Sequence, residues 1–233
     1  MFDFILFGIL AIGFAFLLSA ITGYDAYSET YTNKLTFYEE SYNISFSEMP
    51  EEQKNWNEDQ REAYNSLIRD NDAMYAYNMM VDLMMLIASF SILLAYLVLD
   101  FTIPILFKNG QTLGKKIFGI AVMRTNGVKI NNISLFIRTF LGKYAIETMV
   151  PVLIIVMIFN NMIGFLGTII LGLLLLLQLI ILLVTKRNAV IHDLLADTVV
   201  VDFASQMIYD TEEDLIEAKK QAAAEKANKA SYY

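Results

Sequence analysis

The sequence predicts an all-α membrane protein: four transmembrane helices, a small cytoplasmic β-hairpin or three-stranded sheet, and an ordered outer loop. Three observations lead there. Of the 233 residues, 56% are hydrophobic and the mean hydropathy is +0.48, more apolar than a soluble domain of this size. The apolar residues are gathered into long runs with almost no charge. The lysines and arginines fall mainly between and after particular runs, as the positive-inside rule requires of a polytopic chain.

A helix needs about 20 apolar residues to cross a bilayer. "FILFGILAIGFAFLLSAI" at 4–21 has no charge, and "MMVDLMMLIASFSILLAYLVL" at 79–99 has only Asp82. "TMVPVLIIVMIF" at 148–159 is short but can extend into the preceding "KYAIE", and "MIGFLGTIILGLLLLLQLIILLVT" at 162–185 is uncharged. Such runs do not suit amphipathic surface helices. The first run lacks a basic leader before it and an A-x-A-like cleavage site after it, so it reads as a retained helix rather than a signal peptide.

The chain therefore divides into a first span (1–22), an acidic, aromatic outer loop (23–75), a second span (76–107), a cytoplasmic segment with a hairpin and an interfacial helix (108–146), a third and fourth span (147–185), a short cytoplasmic segment (186–202) and a charged helical tail (203–233). Orientation follows from the basic residues. The 23–75 loop carries Lys34, Lys54, Arg61 and Arg69 among many acids, whereas 108–146 carries Lys108, Lys115, Lys116, Arg124, Lys129, Arg138 and Lys143 and no acid. The 160–161 link has no charge, and Lys186 and Arg187 open a further basic stretch. Both termini are expected in the cytoplasm of a multi-pass cell-membrane protein, with 23–75 and 160–161 outside.

The outer loop is rich in Tyr and Phe and holds Trp56, unlike a disordered segment. Its "SEMPEEQKNWNEDQREAYNSLIRD" reads as a helix starting near Ser47 or Glu48, with Pro50 in the first turn. The tail "DTEEDLIEAKKQAAAEKANKA" reads as a helix capped by Asp210 or Thr211. It is either a solvated arm or a docking helix for a cytoplasmic partner.

Composition excludes several chemistries. A net charge of −8 argues against a nucleic-acid partner, which wants clustered basic charge. With no cysteine and one histidine, His192, neither thiolate sites nor a multi-histidine metal site can form, so no metal or cofactor is expected. The stretch "NGQTLGKKIFGIAVMRTNG" at 109–127 invites comparison with a phosphate-binding loop. It fails the pattern: Gly110 and Gly114 bracket three residues, Lys116 follows Lys115 where Ser or Thr belongs, and a membrane helix precedes it. Instead, "IAVMRTNGVKI" reads as two strands, near 118–124 and 128–130, joined by a type I′ turn at Asn126-Gly127. "TVVV" at 198–201 is a third strand, expected to pair with the first and cover an edge of the hairpin.

Over residues 110–201 the chain runs "GQTLGKKIFGIAVMRTNGVKI", then "SLFIRTFL", then "IHDLLADTVVV". In that order these segments resemble the RDD family of bacterial integral membrane proteins. The resemblance implies that Gly110, Gln111, Thr112, Gly114, Lys115, Lys116, Arg138, His192 and Asp193 are motif residues, with Asp3 as the aspartate of the first helix. The arginine that the family carries upstream of that aspartate has no counterpart, and Asp197 stands where the family often has glycine. The resemblance also implies transport, since some members resemble cation/proton antiporters.

The remaining polar residues in the spans have two readings each. Asp82 and Asp100, eighteen residues apart, fall on one face of a regular helix near its opposite ends. They are either boundary acids, with Asp100 paired to Lys108, Lys115, Lys116 or Arg138, or part of an ion path together with Gln178. Gln178 otherwise bonds across helices or between copies. Glu147 reads as an N-terminal dipole partner of helix three. His192 reads as a structural cap or a proton shuttle, and Asp193 as a cap or a partner of the Lys115–Lys116 pair. Lys115, Lys116, Arg138, Asp100 and Asp193 are expected to converge. Two functions remain open: a small-solute or cation/proton transporter, working alone or as a homo-oligomer, and a non-enzymatic adaptor or sensor linking the outer loop to the tail. No nucleophile–base pair supports an enzyme.

Overall fold

Among the described residues, four helical stretches are long and apolar enough to cross a membrane: Phe2–Thr22, Asn71–Phe107, Asn132–Ile158 and Gly164–Val184. The computed structural model describes residues 2–159, 162–185 and 189–230. The 160–161 link and the Lys186–Arg187 pair lie outside the described residues. The chain forms two units, residues 11–91 and residues 1–10 with 92–233.

The helix α1 (Phe2–Thr22) ends at Gly23, whose φ of 74° starts a new helix, α2 (Tyr24–Tyr42). Within the 11–91 unit, α2 packs against α3 (Glu58–Arg69) and the start of α4 (Asn71–Tyr96). Aromatic rings form much of the seam: Tyr27 meets Tyr75 at 6.1 Å, and Tyr31 meets Tyr77 at 5.2 Å. The loop helix begins at Glu58, not near Ser47. Asn57 and Gln60 form a reciprocal capping box there, while the earlier residues make only the short 3₁₀ turns Phe46–Glu48 and Gln53–Asn55. The local cap outcompetes Pro50 as the start signal. Trp56 donates from Nε1 to the Pro50 carbonyl at 2.6 Å and stacks edge-on against Tyr64, closing the loop on itself.

In the other unit, span two continues as a π-helical segment, Leu97–Thr102, into α5 (Ile103–Phe107). The run then turns at Lys108, in the left-handed region with φ 58°, into α6 (Leu113–Ile117) and β1 (Ile120–Arg124). Span three starts at α7 (Asn132–Phe136), capped by Asn131. It passes through a second π-helical segment, Ile137–Met149, into α8 (Val150–Phe159). The segment expected as a separate interfacial helix is thus the first part of span three. Span four is α9 (Gly164–Val184). It is followed by α10 (Ile191–Leu195), β2 (Thr198–Asp202) and the tail helix α11 (Glu212–Ala230).

The 198–201 stretch pairs with the first strand as expected. β1 and β2 are antiparallel, in register from Ile120 opposite Asp202 to Arg124 opposite Thr198. The sheet has two strands rather than three, and residues 128–130 contribute single bridges, Met123 to Lys129 and Val128 to Tyr209. The reason lies in where their amides go: Val128 N–H donates to the Asn126 side chain, and Lys129 N–H to the Tyr209 carbonyl. The turn also differs from type I′. Gly127 donates to the Arg124 carbonyl, and Gly127 alone takes a positive φ, 95°, as in a three-residue loop closed by a left-handed glycine. A small core of Val122, Ile130 and Leu135, backed by Phe101 and Ile105, fixes this layer to the ends of spans two and three.

Candidate functional site

The motif residues build a charged junction where span one starts, span two ends and span three begins. Asp3, in the first turn of α1, reaches α6. Its carboxylate accepts from the Gly114 N–H at 2.7 Å and from the Thr112 hydroxyl. Thr112 is the N-cap of α6 and accepts from Lys115 N–H at 3.3 Å. Gly114 is required for this approach, because a Cβ there would lie 2.7 Å from the Asp3 carboxyl carbon. Gly110, at φ 69°, sits so close to β1 that a Cβ would meet the Val122 carbonyl at 2.5 Å. Gln111 is buried and donates from Nε2 to the Ile120 carbonyl at 2.8 Å. Gly110, Gln111, Thr112 and Gly114 therefore serve to place α6 and, with it, Lys115.

Lys115 points inward and Lys116 outward. Burial pushes the Lys115 amine down to about 8, helped by the charges of Lys143 and Arg138 and opposed by Asp100 and Asp3. Lys116 lies instead over the Phe107 ring, 4.1 Å from its centroid, and does not join the cluster.

The second half of the site is an ion-pair chain between span three and α10. Arg138 and Asp193 are 3% and 5% exposed, and Arg138 Nε donates to Asp193 Oδ1 at 2.9 Å. Asp193 also accepts from the Thr198 hydroxyl at 2.8 Å, which links the pair to β2. Burial opposes its ionisation, but the Arg138 charge and these hydrogen bonds hold its carboxyl below the usual carboxylate range. Asp193 thus neither caps α10, which starts from Val190 without a side-chain cap, nor pairs with Lys115 or Lys116. His192 lies between Glu147 and Arg138. Its Nδ1 is 2.8 Å from Glu147 Oε2, its Nε2 is 3.0 Å from Arg138 Nη2, and its backbone N–H donates to Glu147 Oε1 at 3.0 Å. Its imidazole is pushed below its usual value, first by burial and then by Arg138 and Lys143, against Glu147 and Asp193.

The π-helical segment makes this possible. In an α-helix of about 3.6 residues per turn, Arg138 and Glu147 fall on opposite sides, nine residues being two and a half turns. With i to i+5 bonding, nine residues make roughly two turns, so Arg138, Gly142 and Glu147 line up toward α10. Gly142 accommodates the contact: a Cβ there would come within 2.6 Å of the His192 Cα.

Asp100, buried in the first π-helical segment, pairs with Lys143, a partner absent from the expected set. Thr139 donates to the Asp100 carbonyl at 2.9 Å, a bond that ties the two π-helical segments together. Asp82, by contrast, is exposed and belongs to the 11–91 unit. The wide turns after Tyr96 break the 3.6-residue phase from which a shared face with Asp100 is drawn. Gln178 is half-buried in span four and makes no hydrogen bond to the cluster among the described residues. No group of three or more metal-ligating side chains occurs among the described residues.

Sequence reasoning missed Lys143 and the role of Glu147. Both lie in the π-helical segment, and the signal was the spacing 138–142–147, four residues and then five, which is wider per turn than an α-helix and fits a π-helix. Asp197 has φ 51° and accepts a hydrogen bond from the Thr125 hydroxyl, which accounts for the glycine common at that place in the resemblance. No curated protein and no solved structure matches the chain. The sequence model of the RDD family matches residues 1–197, and the protein belongs to that family.

Proposed function

We propose that this polytopic membrane protein moves protons or small cations across the bilayer, with Lys115 and Asp100 as the groups that exchange charge. The observation that carries the reading is Lys115. It is a half-buried lysine with no acid within ion-pair distance among the described residues, near Asp100 and Asp3, with its proton affinity lowered by burial to about 8. A group of that kind gains and releases a proton near neutral pH at little cost, which a paired lysine does not. Four spans offer little interior for a pathway within one chain, so the working unit in this reading is a homo-oligomer. No enzymatic reaction and no cofactor is proposed. The basic 108–146 segment orients both termini toward the cytoplasm.

Proteoliposomes enclosing a pH-sensitive dye test the reading. An imposed sodium or potassium gradient should change internal pH in wild-type vesicles. The change should be lost in Lys115→Gln and Asp100→Asn and kept in Asp82→Asn. Wild-type flux no faster than in empty vesicles would overturn it.

One observation favours an adaptor as the second reading. The root of the tail is joined to the hairpin: Arg124 and Asn126 both donate to Glu212, at 3.0 and 3.2 Å, and Lys129 donates to Asp210 at 3.3 Å. An otherwise exposed helix α11, held at its root, can present a surface to another protein. Deletion of 212–233 that leaves flux intact but removes a bound partner would favour that reading.

A further inference from the structure

Of the seven cations between residues 108 and 146, four are paired with acids: Arg124 with Glu212, Lys129 with Asp210, Arg138 with Asp193 and Lys143 with Asp100. Lys115 is turned inward. Lys108 and Lys116 remain, both exposed and with no acid within ion-pair distance among the described residues. Nor does the local sequence provide one, since no acid occurs between Asp100 and Glu147.

The side chains around these two lysines are apolar and open. Leu106 is 71% exposed, Ile117 64% and Phe118 67%. Lys116 lies over the ring of Phe107, which joins the end of α6 to the end of span two. The depth of this face is fixed twice over. Asp3 ties α6 to the first turn of span one, and the Lys116–Phe107 contact ties it to the last residue of span two. Both span ends lie where hydrocarbon gives way to headgroups.

We propose that Leu106, Lys108, Lys116, Ile117 and Phe118 form a seat for an anionic phospholipid, with the two ammonium groups on its phosphate and the three apolar side chains along its acyl chains. Charge selects the occupant: two unpaired cations with no acid beside them favour a headgroup with net negative charge over a zwitterionic one. The apolar side chains select a lipid over a soluble anion, because in water they would stay exposed beside two charges.

Native mass spectrometry of the full chain released from nanodiscs of equal phosphatidylglycerol and phosphatidylcholine reads the retained lipid. Wild type should retain phosphatidylglycerol in preference. Lys108→Gln/Lys116→Gln should lower that preference by up to roughly 30-fold, two surface lysines at the per-charge strength typical of anionic membranes. Lys219→Gln/Lys220→Gln, in the tail, should leave it unchanged. Lys116→Gln alone, which removes one exposed side chain, should give a smaller loss in the same direction and replaces the pair if the pair does not fold. Ile117→Ser/Phe118→Ser should also lower retention. A preference within twofold of wild type in the lysine variant overturns the proposal. So does loss in the lysine variant with none in the Ile117/Phe118 variant, since the headgroup alone is then held and the apolar side chains do not seat the acyl chains.

Discussion

Arg138 Nη2 lies 3.0 Å from His192 Nε2, and a guanidinium can only donate, so the imidazole accepts there and carries its proton on Nδ1. That proton points at Glu147 Oε2, 2.8 Å away. One arginine and one carboxylate thus fix a neutral tautomer. Protonation at Nε2 would set two donors against each other and leave Asp193 Oδ2, 3.5 Å from Nε2, as the acid on that side.

The first prediction concerns pH. The folded state depresses the His192 proton affinity, so its contribution to stability is present above the unfolded value of about 6.5 and is lost as pH falls through the lower folded value. The melting temperature should drop between pH 7 and pH 5, and His192→Gln should flatten that drop. Selective ¹⁵N-histidine NMR should find the Nδ1–H tautomer at neutral pH. An Nε2–H tautomer, or titration above 6.5, would contradict the geometry.

The second concerns the buried pair. Asp193→Asn leaves the Arg138 charge buried without its partner, a loss of about 3–5 kcal/mol for a broken interior pair. Asp82→Asn, at an exposed position, should stay within about 0.5 kcal/mol. Folded yield in detergent and melting temperature should therefore fall far more for Asp193→Asn. A variant at 193 that melts like wild type but carries no flux would move the residue from structure to transport.

The third concerns the close approaches. Gly142→Ala must push α10 away from the π-helical segment through backbone, and should cost about 1–3 kcal/mol or more. Gly114→Ala meets the Asp3 carboxylate and should lower stability in the same way, with some relief if Asp3 swings aside. Gly172→Ala meets nothing within 4 Å and is the control, neutral or slightly stabilising in a helix. Equal melting temperatures for all three would exclude the packing described at α10 and α6.

Spans, the β1–β2 pairing and the family were legible because each rests on local composition: uncharged runs, alternating apolar residues beside Asn126-Gly127, and a motif of fixed order. The pairing of Asp100 with Lys143 and of His192 with Glu147 was not, because both depend on turns wider than α in spans two and three. Tertiary contacts such as Thr139 to the Asp100 carbonyl accompany those turns, and no propensity signals them. The helix α2 was missed for a different reason. Its mean hydropathy is low, yet Tyr24, Tyr27, Tyr31, Tyr38 and Tyr42 recur at near-helical spacing, and four of them have partners on α3, at the α3–α4 junction or in the first turns of α4.

The fourth prediction concerns orientation. If both termini face the cytoplasm, Trp56→Cys should react with an impermeant thiol reagent in intact cells, and Met207→Cys only after permeabilisation. The native chain has no cysteine to confuse the result. The reverse pattern would invert the topology and place the basic 108–146 segment outside.

The last prediction concerns Asp70, the hinge between α3 and α4. Its Oδ1 accepts from Asp72 N–H at 2.9 Å and Ala73 N–H at 3.1 Å, capping α4. Its Oδ2 accepts from Lys34 Nζ at 2.7 Å and the Tyr38 hydroxyl at 3.1 Å, clasping α2. The Lys34 hydrogen bond, foremost among these, holds the carboxyl at about 2. A depressed carboxylate contributes stability that is present above the unfolded value of about 3.9 and is lost as pH falls through about 2. Asp70→Asn keeps an acceptor for the α4 cap and loses only the charge, whereas Asp70→Ala loses both. Asp70→Ala should therefore cost about 1 kcal/mol more, the usual worth of an N-cap. Limited proteolysis between α2 and α3 reads the clasp: cleavage should speed up in the order wild type, Asp70→Asn, Asp70→Ala, with Lys34→Met close to Asp70→Asn. If Lys34→Met cleaves as slowly as wild type while Asp70→Ala is fast, the residue acts through the cap alone and the ion pair holds nothing.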